Sequence, residues 1–328
     1  MKRIVAIFLC LILITPFLVF AQTVKDRIDL DFVDGLRKRG DIDLALDYLK
    51  IIEKMASPEL KVIIPLEIAK TQLSKAIAEP DKARRQKLYL AVMVEIKKFI
   101  SANPKNSRVS EAKLDLARLS IQMAKTKISE ISSLRTNDEK VAKGNEAKAL
   151  ILDSRLQMKS AIKEMQDKLI TIAGMTPAEL AESKSLAEKI SLGEMDLALS
   201  FYDEAKSVID TGKDKDRVLR GNIINEAIKA MEKLADRGET DAQTWIAKAW
   251  YALFLMENGE PKKARPKLIE ILSVSPSNKA ANDAKRLAKY FFLQVIKDAP
   301  DPTEKDVDKI IQTNGNKWLD DYKAYVKT

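Results

Sequence analysis

The chain has 328 residues, no histidine, a single cysteine and a formal charge of +9. With Cys10 as the lone thiol, the usual zinc, copper and haem centres and the Ser-His-Asp and Cys-His nucleophile arrangements are excluded, because each needs His or Cys. Ten Gly and eleven Pro punctuate a sequence dominated by Ala, Leu, Ile, Lys and Glu, which predicts an all-α chain with no alternating strand pattern.

In chain order the first predicted element is residues 1–21, MKRIVAIFLCLILITPFLVFA. Lys2 and Arg3 form a basic n-region, an apolar run follows from Ile4, Pro16 breaks it, and Val19 and Ala21 stand where a signal peptidase takes small residues. Cleavage before Gln22 and export to the periplasm or the medium are expected. An uncleaved membrane anchor is the rival reading, because the run is about as long as a minimal span of roughly 17 residues. Cys10 sits among bulky neighbours inside the run and reads as filler rather than a lipidation site. A mature chain from Gln22 then has no cysteine, so packing and not disulfides must hold it together. Without Lys2 and Arg3 the charge falls from +9 to +7. In an exported chain that balance does not point to nucleic acid. The basic clusters at 37–39, 82–87 and 262–267 read as solvated helix faces, with weak contact to an anionic envelope surface as the alternative.

Residues 22–104 form the next region. Its stretch RKRGDIDLALDYLKIIEK holds Gly40, Ala45, Leu49 and Ile52. A Gly supplies the positive φ of a turn between two helices, a small Ala lets the backbones approach at the crossing, and the residues one and two turns on share the buried face. The frame returns at Gly193, Ala198, Tyr202 and Ala205 and again at Gly259, Ala264, Leu268 and Ile271. Ser57-Pro58, Glu79-Pro80 and Thr176-Pro177 each place Pro at an expected first helical position. Residues 105–175 differ in texture. Leu114, Ala117, Ile121, Ala124, Ile128 and Ile131 alternate three and four apart, as do Met158, Ile162, Met165, Leu169 and Ile172. These are seams of two long helices, with RTNDEKVAKGN at 135–145 supplying the turn of an antiparallel hairpin; self-association is the alternative use of that seam. In the last region, 176–328, Ala227, Met231 and Leu234 mark a weaker unit, and Trp245 and Trp250 read as packing residues. Pro266 is expected to bend its helix, and Trp318, Tyr322 and Tyr325 to cap the end of the array.

The Gly-Ala-Leu frame resembles the tetratricopeptide repeat, a helical hairpin with a small-residue helix A, a Gly turn, an Ala-bearing helix B and a closing Pro. The third copy carries it best, with Tyr251 and Ala252 in helix A, Leu255 at the aromatic position and Pro276 closing. In the first copy Asp29 stands where the family has Trp, and the Gly193 copy has Ser185 and Lys189 in apolar slots. The resemblance implies an α-solenoid of helical hairpins, extended here by the long central hairpin, and a non-enzymatic protein–protein interaction scaffold of the envelope or secreted fraction. It implies a concave groove lined by helix A positions: Arg27, Leu30, Asp34, Arg37 and Lys38 in the first copy, Ile246, Ala249, Leu253, Met256 and Glu257 in the third. Arg27, Asp34, Arg37 and Lys38 are the expected partner-binding residues, and no cofactor, metal or catalytic residue is expected. The alternatives are a membrane-anchored envelope assembly factor and a carboxylate-dependent envelope glycosidase.

Overall fold

The computed structural model describes residues 25–174, 176–238, 242–275 and 277–297. The segment 1–21, the closing Pro276 and the capping Trp318, Tyr322 and Tyr325 lie outside the described residues. Among those described, every regular element is helical, and no helix is long and apolar enough to cross a membrane. The chain divides into two compact units, Met1–Met123 and Ala124–Thr328.

The first unit holds α1 (25–39), α2 (Ile42–Glu53), α3 (Pro58–Ala78), α4 (Lys82–Ala102) and the start of α5 (Val109–Ile131). Gly40 adopts φ +82° and closes α1 with two bonds: its amide donates to the Arg37 carbonyl at 3.1 Å and the Asp41 amide to the Leu36 carbonyl at 3.0 Å. This is the Schellman pattern, which satisfies the carbonyls a helix end leaves open and requires the left-handed conformation that Gly tolerates. The chain reverses there, and Val33 and Leu36 of α1 meet Ala45, Leu49 and Ile52 of α2 and Leu60 and Ile64 of α3 in one cluster. Ser57 caps α3, its hydroxyl accepting from the Leu60 amide at 3.0 Å with Pro58 at the first helical position. Pro80 does not start α4 as its sequence position suggested. The Asp81 carboxylate accepts from the Arg84 amide at 2.7 Å, and that cap sets the start at Lys82, leaving Pro80 in the link.

The second unit holds the end of α5, then α6 (Asn137–Thr171), α7 (Pro177–Ser207), α8 (Asp214–Ala235), α9 (Ala242–Glu257), α10 (Pro261–Ser273), a 3₁₀ turn Lys279–Ala281 and α11 (Asn282–Lys297). Consecutive helices from α6 to α11 pack on one another, and α9 also touches α7. The α9–α10 turn repeats the α1–α2 turn bond for bond. Gly259 has φ +78°, its amide donates to the Met256 carbonyl at 2.9 Å, and the Glu260 amide donates to the Leu255 carbonyl at 2.8 Å. Ala264, Leu268 and Ile271 then lie fully buried on α10.

The middle copy of the frame differs. Gly193 is a buried residue in the interior of α7 and makes no turn. Glycine permits positive φ without enforcing it, and good helix formers on both sides carry the helix through from the Thr176 cap. The stripe nonetheless holds, with Ala198, Tyr202 and Ala205 buried. The central turn is also shorter than 135–145. Residues 132–136 form it, and α6 begins at Asn137 because Thr136 and Glu139 make a capping box: Thr136 Oγ1 accepts from the Glu139 amide at 3.2 Å, and Glu139 Oε2 accepts from the Thr136 amide at 3.0 Å. Gly144, placed by sequence in the turn, is a contact residue instead. A Cβ there would collide with the Ser207 carbonyl oxygen at the end of α7 and press the Ile209 side chain at 3.2 Å, so only Gly lets α6 and that segment come so close.

Candidate functional site

The expected partner-binding residues all lie on α1. By the 3.6-residue turn Arg27, Asp34 and Lys38 share a face at i, i+7 and i+11, while Arg37 is rotated toward α3. Arg27, Asp34 and Lys38 are exposed, and Arg37 is half-buried. Leu30, beside them, packs on the α1–α3 cluster.

Arg37 reaches inward. Its Nη2 lies 2.7 Å from Glu67 Oε2 and also contacts Asp34 Oδ1. Its Nη1 donates at 3.3 Å to both the Glu67 carbonyl and Thr71 Oγ1. Glu67, on α3, is 1 % exposed and is gripped from the other side by Arg108, just ahead of α5, whose Nη2 sits 2.6 Å from its Oε1, while Lys70, one turn along α3, places Nζ 3.5 Å from the same oxygen. Lys70 further pairs with Glu111 and lies 3.6 Å from Asp115 Oδ2; Arg108 Nε lies 2.7 Å from Glu111 Oε2, and Arg118 Nη1 3.3 Å from Asp115 Oδ1. Asp34, Glu67, Glu111 and Asp115 thus face Arg37, Lys70, Arg108 and Arg118 in one balanced array across α1, α3 and α5.

The array sets the titration of its members. Burial by itself would raise the Glu67 carboxyl, but Lys70, Arg37 and Arg108 outweigh it and hold it below the usual carboxylate range. Burial would lower Lys70, yet Asp115, Glu67 and Glu111 hold it above its ordinary value. Asp115 goes the other way: burial dominates and pushes its carboxyl up. A carboxylate held ionised and a lysine held protonated are a poor general acid and a poor nucleophile at neutral pH. The arrangement is a clamp that fixes α1 against α3 and α5, with the exposed side of α1 left to face outward.

The sequence reading missed Glu67, Lys70, Arg108, Glu111 and Asp115. One signal was present: Glu67 interrupts the apolar run IIPLEIA, and a lone charge in a helix's buried stripe must find partners.

The second unit carries an analogous pairing. Arg155, buried on α6, places Nη2 2.8 Å from Glu204 Oε2 on α7, donates from Nε to Ser200 Oγ at 3.0 Å and from Nη2 to the Ser200 carbonyl at 3.1 Å, and lies 3.8 Å over the Phe201 ring. Tyr202 donates to Glu257 Oε1 at 3.2 Å, and burial followed by Glu257 pushes its phenol well above the ordinary range. Trp245 is buried, and Trp250 stacks among Tyr202, Phe254 and Phe291 in the core of α7–α11. Of the third-copy groove positions, Ala249 and Leu253 are buried rather than open, because α9 is enclosed by α7, α8, α10 and α11. An open cleft of ≈ 470 Å³ between α7 and the start of α9 is lined by Lys184, Glu188, Ser191 and Leu192 among others. Ser191 has no histidine anywhere in the chain to activate it. Among the described residues no group of three or more His, Cys, Asp or Glu side chains is placed to hold a metal ion. Neither a scan of protein-family models nor a search of curated proteins finds a match to the chain.

Proposed function

We propose that the protein is a non-enzymatic scaffold of the cell envelope or secreted fraction, built as a tetratricopeptide-like solenoid and exported after removal of residues 1–21. It binds a protein partner through the charged side of its first helix. The observation that carries this reading is the pairing of a rigid support with an exposed charged face: Arg27, Asp34 and Lys38 stand on one side of α1, while Arg37 on the same helix is locked into Glu67. A pre-fixed helix loses little entropy on binding, and a charged face of mixed sign suits acidic and basic side chains or a terminal carboxylate. The bond-for-bond recurrence of the turns at Gly40 and Gly259 supports the repeat architecture. In this reading Arg27 and Lys38 meet the partner, and Arg37 positions them from behind.

Affinity capture from an envelope extract, with the purified protein as bait, tests this. The Arg27→Glu, Lys38→Glu variant is expected to bind the captured partner at least about tenfold more weakly, with an unchanged unfolding midpoint because both side chains are exposed. Normal binding by that variant, or release of sugar from peptidoglycan by the unmodified protein, would overturn the proposal. Exported material is expected to begin at Gln22.

A further inference from the structure

On the other side of the same hairpin the described residues present an exposed apolar surface. On α2 the buried stripe Ala45, Leu49 and Ile52 accounts for only part of the apolar arc. Leu44, Tyr48 and Ile51, at i, i+4 and i+7, continue it around the helix, with Leu44 56 % and Ile51 55 % exposed. On α1 Ile28 and Phe32, 61 % and 46 % exposed, extend the surface. Its geometry is rigid. The Phe32 and Tyr48 rings meet edge-to-face at 4.8 Å, and the Tyr48 hydroxyl donates to Asp29 Oδ1 at 2.6 Å. Single exposed apolar residues are ordinary on a surface, whereas a contiguous set joined by a fixed aromatic pair marks a contact face.

We propose that this face pairs with its own counterpart on a second copy of the chain, α2 running antiparallel to α2. The argument for a second copy is charge. Asp43 and Asp47 occupy the first half of one flank of the stripe and Lys50 and Lys54 the second half, all exposed. In an antiparallel pair the same flank of each helix meets its equivalent. A two-fold axis near Tyr48 therefore sets Leu44 against Ile51 of the second copy, Asp47 against its Lys50 and Asp43 against its Lys54. Within one copy Asp47 lies 3.0 Å from Lys50 and Asp43 2.8 Å from Lys75, exposed pairs that exchange at little cost. The five apolar side chains offer on the order of 400 Å² per copy, and with the charged rim a symmetric contact buries on the order of 1,000 Å² in total, the lower edge of specific interfaces. That size fits a reversible dimer. The surface is distinct from the Arg27–Lys38 side and does not depend on the partner reading.

Sedimentation velocity across a dilution series of the purified protein tests the proposal. The unmodified chain is expected to show a reversible monomer–dimer equilibrium, and Ile51→Glu to remain monomeric with unchanged circular dichroism. Lys50→Glu with Lys54→Glu, and separately Asp43→Lys with Asp47→Lys, should each weaken the dimer about tenfold, and an equimolar mixture of the two should restore it. The mixture is the decisive arm, because only opposed like flanks regain complementarity. A protein monomeric at every concentration, a dimer indifferent to Ile51→Glu, or a mixture that fails to recover would each overturn the proposal. Monomers of the full chain, with residues 1–21 retained, whose leading segment crosslinks to the Leu44–Ile51 face would assign that face to the segment instead. Partner capture by the monomeric Ile51→Glu variant keeps the two functional readings separable.

Discussion

Replacing Glu67 with Ala removes the anion at the centre of the first unit's charge array. The side chain is 1 % exposed and accepts from Arg37 at 2.7 Å and Arg108 at 2.6 Å, with Lys70 at 3.5 Å. Its loss leaves those cations partly buried without their main partner. Breaking a buried pair by removing one member costs about 3 to 5 kcal/mol, whereas swapping the whole set for apolar groups can be neutral. Arg37 and Arg108 keep some access to water, and Asp34 and Glu111 remain beside them, which places Glu67→Ala near the low end, about 3 kcal/mol. Set against a total of roughly 5 to 15 kcal/mol, that is a severe loss. Urea unfolding followed by far-ultraviolet circular dichroism, with hydrogen exchange on peptides from 25–123, locates the effect, because Trp245 and Trp250 report on the second unit. The pH dependence has a fixed sign. Glu67 has a folded value below its ordinary 4.5, so its contribution is present in full above that value and is lost as pH falls through the depressed one. The unmodified protein should therefore lose stability on acidification below about pH 4.5 more steeply than Glu67→Gln does. A Glu67→Ala change within about 0.5 kcal/mol of the unmodified protein, the range of an ordinary surface substitution, would refute the view that this array clamps α1.

Asp115 should behave oppositely to Glu67. Burial raises its carboxyl above the ordinary value, so its ionisation opposes folding as pH rises from below that value, and the stability of Asp115→Asn relative to the unmodified protein should increase with pH in urea unfolding. Gly144→Ala should destabilise by about 1 to 3 kcal/mol in thermal unfolding, because the new methyl meets the Ser207 carbonyl, which cannot swing aside like a side-chain tip. Ala45→Leu and Ala264→Leu, both at 0 % exposure beside a Gly turn, should each cost about 1 to 3 kcal/mol by overpacking, while Lys50→Ala on the exposed side stays within about 0.5 kcal/mol. Arg155→Ala leaves the buried Glu204 with only Lys148, 3.6 Å from its Oε1, and should lower the melting temperature by several degrees, the equivalent of about 2 to 3 kcal/mol.

Helical periodicity made the elements legible in the residue order, since a stripe such as Ala45, Leu49 and Ile52 or Ala264, Leu268 and Ile271 is a local pattern that any core-facing helix must show. The same holds for the turns at Gly40 and Gly259, where a helix end, a left-handed residue and a new helix lie within a few positions. Gly193 and Gly144 look alike on paper and do something else. Whether a Gly turns the chain, continues a helix or admits another backbone depends on what packs against it, and for Gly144 that is Ser207, sixty-three positions away. The site divides along the same line. Arg27, Asp34 and Lys38 share a face by helical geometry alone, and the same geometry turns Arg37 aside, but that Arg37 is held rather than solvated depends on Glu67 and Thr71 arriving from α3. Charge in a sequence reads as solvated surface by default. Only tertiary structure decided that Glu67, Glu111 and Asp115 meet Arg37, Lys70 and Arg108 away from bulk water, because desolvation and ion pairing act over a few ångströms of space with no regard to separation along the chain.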